Sequence, residues 1–198
     1  MHYQAVTTAI LMALAAAADL AAEPPYRVEK THADLLFDID HAGFTHKHGS
    51  FRNLDAALQY DAPHPEQSHV SVTVQVDSID TGFALRDQEL KGEKFLDVAK
   101  YPVMRFESIR VTPGPNRTLV VEGNLTLHGV TRPLTLHATL NKSAPNPFDK
   151  AATLGFSATG TLKRSDFGVA SFVPIIGDEV RIEIDAEFNQ KAMSGRGS

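Results

Sequence analysis

Apolar side chains recur at every second position through most of this chain. In residues 70–76 valines alternate with polar residues, and in residues 180–188 apolar residues alternate with charged ones. Successive side chains of a β-strand point to opposite faces of a sheet, so this period of two predicts strands that are buried on one face only. The alternation therefore favours an antiparallel β-protein over a helical one.

The same alternation continues elsewhere and predicts about eight strands. The further segments are SFRNLDAALQY, LLFDIDH, PVMRFESIRV, VVEGNLTL, LTLHATL and LGFSATGTL, with turn-rich breaks such as DAPHPEQS, TPGPN and APNPF between strands. A sheet of this size must pack on a second layer or close on itself, and closure removes its exposed edges. We therefore predict an all-β, eight-stranded antiparallel barrel. Its small inward residues are compatible both with closely fitting neighbours and with room for a ligand: Gly123, Ala138, Ala158, Gly160 and Ala186.

One interval does not follow the alternation. After Ser78 the chain contains FALRDQEL and GEKFLDVAK, two segments with helical patterns that are separated by Gly92 and followed by Pro102. We expect short helices, inserted between strands, that cover one end of the barrel. The insertion either only closes the core or also forms a gate through which an apolar ligand enters.

Composition excludes several classes of function. The 198 residues carry a formal net charge of -5, which does not favour nucleic acid as a partner. The chain has no cysteine, and therefore no disulfide, thiolate metal site or cysteine nucleophile. Motifs such as HExxH, GxxxxGK[ST] and the nucleophile elbow are absent from the sequence, so we expect a protein that is not an enzyme and needs no cofactor.

The N-terminus has the pattern of an export signal. Residues 5–18 form an apolar run of signal-peptide length, followed by small residues that permit cleavage after Ala18 or Ala22. The opening MHYQ lacks Lys and Arg, which leaves a helical membrane anchor or a misassigned start as alternatives. The predicted organisation is a signal peptide in residues 1–22, a barrel domain in residues 23–190 and a flexible tail in residues 191–198.

Five blocks of the sequence resemble, in order, the signature blocks of the YceI-like family. They are HADLLFDIDHAGFTHKHGSF, SIDTGFALRDQELKGEKFLDVAKYPVMRFES, GNLTLHGVTRPLTL, FSATGTLKRSDFG and GDEVRIEIDAE. The resemblance implies an extended lipocalin-like barrel in the bacterial periplasm, whose apolar cavity holds a polyisoprenoid such as an isoprenoid quinone or a prenyl phosphate. It also implies a carrier, reservoir or stress-related role without established catalysis, and homodimers in some members. A membrane or another exchange partner would contact the barrel transiently.

The predicted ligand-binding residues are the inward apolar set together with residues near the covered end. Each aliphatic or aromatic member is equally compatible with an ordinary core position, because a period of two does not reveal how close the opposite wall lies. The inward set is Phe37, Ile39, His41, Val72, Val74, Val76, Phe106, Leu125, Phe156 and Ile182, and the set near the covered end is Phe44, Phe83, Leu90 and Phe95.

Two charged pairs are candidates for contacting a polar head group: Arg86 with Asp87, and Arg164 with Asp166. An arginine fork suits phosphate or carbonyl oxygens. Each pair is also compatible with an internal salt bridge that fastens a loop. Glu89 stands where many members of the family have histidine, which puts a head-group contact at that position in doubt.

A second hypothesis is a metal-binding or metal-dependent module that uses His41, His46 and His48. Two histidines two positions apart on a strand share a face and form a workable pair for zinc or copper. His41 has the opposite parity unless a bulge intervenes.

Overall fold

The computed structural model describes residues 25–190 and consists mainly of β-strands. The strands and the α-helix in this range are β1 (Tyr26–His41), β2 (Thr45–Phe51), β3 (Leu54–Gln59), β4 (His69–Gln75), β5 (Ile79–Asp80), α1 (Ala84–Lys91), β6 (Val103–Pro113), β7 (Thr118–Leu127), β8 (Val130–Pro145), β9 (Ala152–Lys163) and β10 (Ile176–Gln190). Single turns of 3-10 helix occur at Pro65–Gln67, Val76–Ser78, Pro115–Arg117 and Arg164–Phe167. The predicted signal peptide and C-terminal tail lie outside the described residues.

Eight of these strands close into an antiparallel barrel. The ring runs from β10 through β9, β8, β7, β6, β4 and β3 to β1, and β1 pairs back onto β10. β1 is long enough to change partner along its length. Its first residues pair with β3, its second half pairs with β2, and β2 in turn pairs with the short strand β5. The predicted barrel is confirmed, and β2 and β5 extend its wall at one end.

The inward face of each strand carries the apolar residues that the alternation predicted. Along β7, buried and more exposed positions alternate from Leu119 to Leu127. Burial of these side chains from several strands forms one contiguous core and is the main favourable contribution to the stability of the barrel.

The connections divide the barrel into two different ends, because antiparallel strands place alternate connections on opposite sides. We call one end the covered end: it contains residues 42–44, 81–102, 128–129 and 164–175. The other, which we call the hairpin end, contains residues 60–68, 114–117 and 146–151. At the covered end the ring of Tyr101 packs on His128, with ring centroids 4.5 Å apart, and the His128 ring lies 3.1 Å from the carbonyl oxygen of Phe167.

The insertion contains one helix rather than the two that the sequence predicted. α1 ends at Lys91, and residues 93–96 and 98–100 form two turns held by backbone hydrogen bonds such as Phe95 N–H to Gly92 C=O. A segment this short between a glycine and a proline is marginal as an isolated helix. The side chains of Phe95 and Leu96 instead pack against the barrel core. The covering function of the segment is retained although its secondary structure differs.

Among residues 25–190, no helix has the length and hydrophobicity needed to cross a membrane.

Candidate ligand cavity

The barrel is hollow toward its covered end. A cavity of about 370 Å³ extends from residues of the covered end down into the barrel, between β1 and β10 on one side and β4, β6 and β8 on the other. This volume lies in the usual range for ligand pockets. Many inward side chains of β1 and β10 remain half-buried, as expected for a wall that no opposing side chain covers.

The hairpin end, in contrast, is filled by side chains. The Phe156 ring makes edge contacts with Tyr60 and Phe188, with centroids 6.0 and 6.1 Å apart, and Leu154 is only 2% exposed. Phe188 also lies on the cavity wall and therefore forms its floor. The cavity consequently has one accessible end.

Of the five small inward residues, four have closely fitting neighbours and one borders the space available for a ligand. A Cβ at Gly123 would lie 2.4 Å from the carbonyl oxygen of Glu107, and one at Gly160 would lie 2.7 Å from a Leu136 methyl carbon. Ala138 and Ala158 face each other across β8 and β9 and belong to the packed core. Only Ala186, among these five, lies on the cavity wall.

Most of the predicted ligand-binding residues lie on the cavity wall. They come from five strands and from the insertion, and the structure brings them around one space: Phe37, Ile39, His41, Val72, Val74, Arg86, Leu90, Phe95, Phe106, Leu125 and Ile182. The alternation of apolar and polar residues identified those on strands, because each faces inward on a strand that borders the hollow part of the barrel.

The structure places five predicted residues away from the cavity wall. Phe44 lies in the β1–β2 turn and Phe83 precedes α1, and both side chains are largely exposed. Val76 is fully buried, and Phe156 packs at the hairpin end. Asp87 accepts hydrogen bonds from the backbone N–H and the hydroxyl of Thr81. Val76 lies just beyond the end of β4, and Phe156 faces inward but at the hairpin end, because the alternation of side chains does not encode depth along the barrel axis.

Sequence reasoning did not select several other residues of the cavity wall. Those on strands have the same parity as the selected residues and could have been found: Met104, Leu127, Leu134, Leu136, Leu162, Val180 and Ile184. Val169 and Phe172, by contrast, come from the irregular segment between β9 and β10, where no periodicity indicates which side chain points inward.

Arg86 is the cation of α1 that reaches the cavity wall. Its Nε donates to the Thr81 hydroxyl at 2.8 Å and one Nη donates to the Thr81 carbonyl oxygen at 2.7 Å. Within residues 25–190 no carboxylate forms an ion pair with Arg86, so it is not paired with the adjacent Asp87. Arg86 and Asp87 both bind Thr81 instead, and Cζ of Arg86 lies 5.8 Å from the centroid of the Phe83 ring. Glu89 also lines the cavity.

Arg164 is a structural cation rather than a free one. Its side chain is 6% exposed and donates to the backbone carbonyls of Val169, Ile176 and Gly177, at 2.8, 3.0 and 2.8 Å. Burial lowers the pKa of its guanidinium, which nearby Asp178 partly opposes. These bonds hold the segment between β9 and β10 over the barrel, and each of the three guanidinium nitrogens of Arg164 donates to one backbone carbonyl although the residue borders the cavity. Asp166 is exposed and does not pair with it.

Asp178 supports the same segment from below. It accepts hydrogen bonds from the backbone N–H of Ser165 at 2.9 Å and from its hydroxyl at 2.7 Å. Burial alone would raise the pKa of Asp178, but these two bonds and the nearby Arg164 guanidinium outweigh burial and hold the pKa below its ordinary value.

The three histidines of the metal hypothesis do not converge. His46 and His48 both lie beside Asp38, with Nδ1 to Oδ2 distances of 2.9 and 3.5 Å, and His41 does not contact this carboxylate. His41 and His48 border the cavity, and His46 does not. No trio of His, Asp or Glu side chains within the described range is placed to hold a metal ion. The described part of the chain therefore gives no support to a metal centre at this segment.

The family of the chain follows from comparison with known proteins. Residues 26–188 match the model of the YceI-like domain. A UPF0312 protein of Pseudomonas savastanoi pv. phaseolicola is 39% identical over 156 residues, which cover 79% of this chain and 81% of that protein.

Solved structures agree with this assignment. The YCEI protein of Campylobacter jejuni superposes with a TM-score of 0.71 at 29% identity, covering 78% of this chain and 91% of that one. A polyisoprenoid binding domain from Saccharophagus degradans shares the fold, with a TM-score of 0.62 at 14% identity, covering 84% and 98% of the two chains. Barrel, cavity and sequence match together show that the chain belongs to the YceI-like family.

Proposed function

We propose that this protein binds a long apolar isoprenoid lipid in its cavity and serves as a periplasmic carrier or reservoir for it. The observation that carries the proposal is the hollow, apolar-walled half of the barrel, which is closed at the hairpin end and reached from the covered end. The Saccharophagus degradans domain of the same fold is described as polyisoprenoid binding, which supports this class of ligand.

The apolar wall favours a hydrocarbon chain on energetic grounds. Burial contributes about 0.8 kcal/mol per methylene group. A chain of several isoprene units therefore gains enough free energy to offset the loss of its own freedom without many polar contacts. Selection between isoprenoids then depends on the shape of the cavity and on the few polar groups near its accessible end.

Arg86 is the proposed contact for the head group. Its bonds to the hydroxyl and carbonyl oxygens of Thr81 fix the orientation of the guanidinium, and no carboxylate of the described residues forms a salt bridge with it. A fixed guanidinium donates to a quinone carbonyl and, more strongly, to an anionic prenyl phosphate oxygen. Both ligand types are consistent with this site.

The periplasmic location rests on the sequence alone. The apolar run in residues 5–18 has the length and flanking small residues of an export signal, and it lies outside the described part of the chain.

Native mass spectrometry of the exported protein, purified without detergent, tests the proposal. We expect a co-purifying isoprenoid that organic solvent removes, and re-binding of ubiquinone or of a prenyl phosphate to the extracted protein. Protein that emerges empty and takes up neither ligand would contradict the proposal.

The head-group role has its own matched pair of variants. Arg86→Gln removes the charge at the cavity, and we expect about tenfold weaker ligand binding, because a charge-assisted hydrogen bond contributes about 1.5–3 kcal/mol. Arg110→Gln removes an arginine that pairs with Glu122 on the outer surface and should bind like the parent. Equal affinities of the Arg86→Gln and Arg110→Gln variants would exclude Arg86 as the head-group contact.

A further inference from the structure

Exposed large apolar side chains are concentrated at the covered end. Five of them occur in its connecting segments, each more than half exposed: Phe44, Phe83, Leu85, Phe172 and Ile175. Their segments are neighbours in the fold, because His41 at the end of β1 pairs with Ile176 at the start of β10, and β2 pairs with the strand that leads into α1. An apolar surface rimmed by polar residues commonly marks an interaction site.

This exposed surface is continuous with the cavity. Phe172 lies on the cavity wall, is 54% exposed, and packs against Phe95 with ring centroids 6.1 Å apart. The Ser171 hydroxyl donates to the Lys94 carbonyl oxygen and ties the two covering segments together. An apolar molecule that leaves the cavity between these segments therefore meets the exposed apolar side chains first.

The charges of the covered end favour an uncharged partner surface. Residues 81–102 contain four Lys or Arg and four Asp or Glu, and residues 164–175 contain one of each sign. The stretch SFVPII, residues 171–176, carries no charge at all. Balanced charge gives no attraction to a strongly anionic or cationic protein, whereas phenylalanine, leucine and isoleucine side chains are suited to the interfacial region of a bilayer.

We infer that the covered end docks on a lipid bilayer, with Phe83, Leu85, Phe172 and Ile175 entering the interfacial region, so that the isoprenoid passes between bilayer and cavity without crossing water. The transfer of an isoprenoid rests on the proposed function, whereas the docking surface itself rests on the exposed side chains. Because the contact is apolar, docking is nearly independent of salt and of the content of anionic lipid.

Flotation with vesicles tests the inference with two matched double variants of the full chain. Leu85→Ser with Ile175→Ser removes two exposed residues of the covered end that do not line the cavity. Ile109→Ser with Phe148→Ser removes two apolar residues elsewhere that are even more exposed, at a bulge of β6 and at the hairpin end. Both variants keep the same N-terminus, so any contribution of residues 5–18 to flotation cancels.

We expect the parent and the Ile109/Phe148 variant to float with phosphatidylcholine vesicles, and equally with vesicles containing one third phosphatidylglycerol. The Leu85/Ile175 variant should partition at least about tenfold more weakly, since the burial of two aliphatic side chains is lost. Equal flotation of the two variants, or no flotation of the parent, would overturn the inference. A parent dimer in ultracentrifugation that only the Leu85/Ile175 variant loses would assign this surface to a second copy of the chain and would also overturn it.

Loading from detergent separates this inference from the proposed function. Ubiquinone added in detergent should enter the Leu85/Ile175 variant as it enters the parent, because neither residue lines the cavity. A parent that floats but takes up no isoprenoid would leave docking intact and contradict the proposed function.

Discussion

Ala186→Leu tests most directly whether the barrel is hollow. Ala186 lies on the cavity wall of β10, opposite Ala33 of β1, so a leucine side chain there extends into empty space. Three added carbon groups at about 0.8 kcal/mol each gain about 2.4 kcal/mol when buried, and ordering the side chain removes about 0.8 kcal/mol. We therefore expect the empty protein to be stabilised by roughly 1–2 kcal/mol.

Ala138→Leu is the matched control. Ala138 is buried on the inward face of β8 and packs between Leu119 of β7 and Ala158 of β9, away from the cavity wall. The same substitution in a filled region overpacks the core and typically costs about 1–3 kcal/mol. The two variants thus change stability in opposite directions although their chemistry is identical.

Urea denaturation of protein stripped of ligand measures both free energies of unfolding, and native mass spectrometry measures ligand content. The Ala186→Leu variant should be more stable than the parent but carry less isoprenoid, since the added side chain takes space from the ligand. If Ala186→Leu and Ala138→Leu destabilise the protein equally, the region around Ala186 is packed and the reasoning from the cavity fails.

Two further predictions concern the segment between β9 and β10. Arg164→Met leaves three backbone carbonyls without their donor and should lower the free energy of unfolding by at least about 3 kcal/mol, whereas Arg110→Met on the outer surface should change it by less than about 1 kcal/mol. Circular dichroism melts compare these variants, and similar melting temperatures would contradict the structural role of Arg164. Asp178→Asn should destabilise the protein by about 1 kcal/mol at pH 7. Because the folded pKa of Asp178 lies below its ordinary value of 3.8, this difference should be complete above pH 3.8 and shrink as the pH falls through the folded pKa, and a difference that does not shrink at all on acidification would refute the assignment.

The sequence predicted the barrel because its signal is repeated in every strand. The alternation from Val180 to Phe188 recurs as an inward row in β10, and the same holds for β4 and β7. The inward side of a strand is a local property that two neighbouring residues already determine. Strand number and closure then followed from the length of the chain that carries this pattern.

Depth along the barrel axis could not be predicted in the same way. Phe37 and Phe156 share the inward parity, yet Phe37 lines the cavity and Phe156 packs at the hairpin end against Tyr60. The difference depends on which residues lie across the barrel, and these are far away in the sequence. Register between strands sets that position, and period two carries no information on register.

The side chains that the segment between β9 and β10 directs into the cavity could not be predicted for another reason. Phe172 reaches the cavity because the backbone around it is anchored by Arg164, eight positions earlier, and by the Ser171 bond to Lys94 of the insertion. Irregular backbone has no period from which a direction can be read. The helix expected in residues 93–100 failed similarly, because packing of Phe95 outweighed local preference.

Closure of the ring by the first and last strands has a consequence for the life of the chain. β1 and β10 lie at opposite ends of the described sequence, yet they pair with each other along most of their length. A nascent polypeptide cannot close the cavity until β10 has been synthesised, since among the described strands only β10 pairs along this edge of β1. The proposed binding of a lipid therefore requires that β10 has folded, and deletion of β10 would open the barrel rather than shorten it.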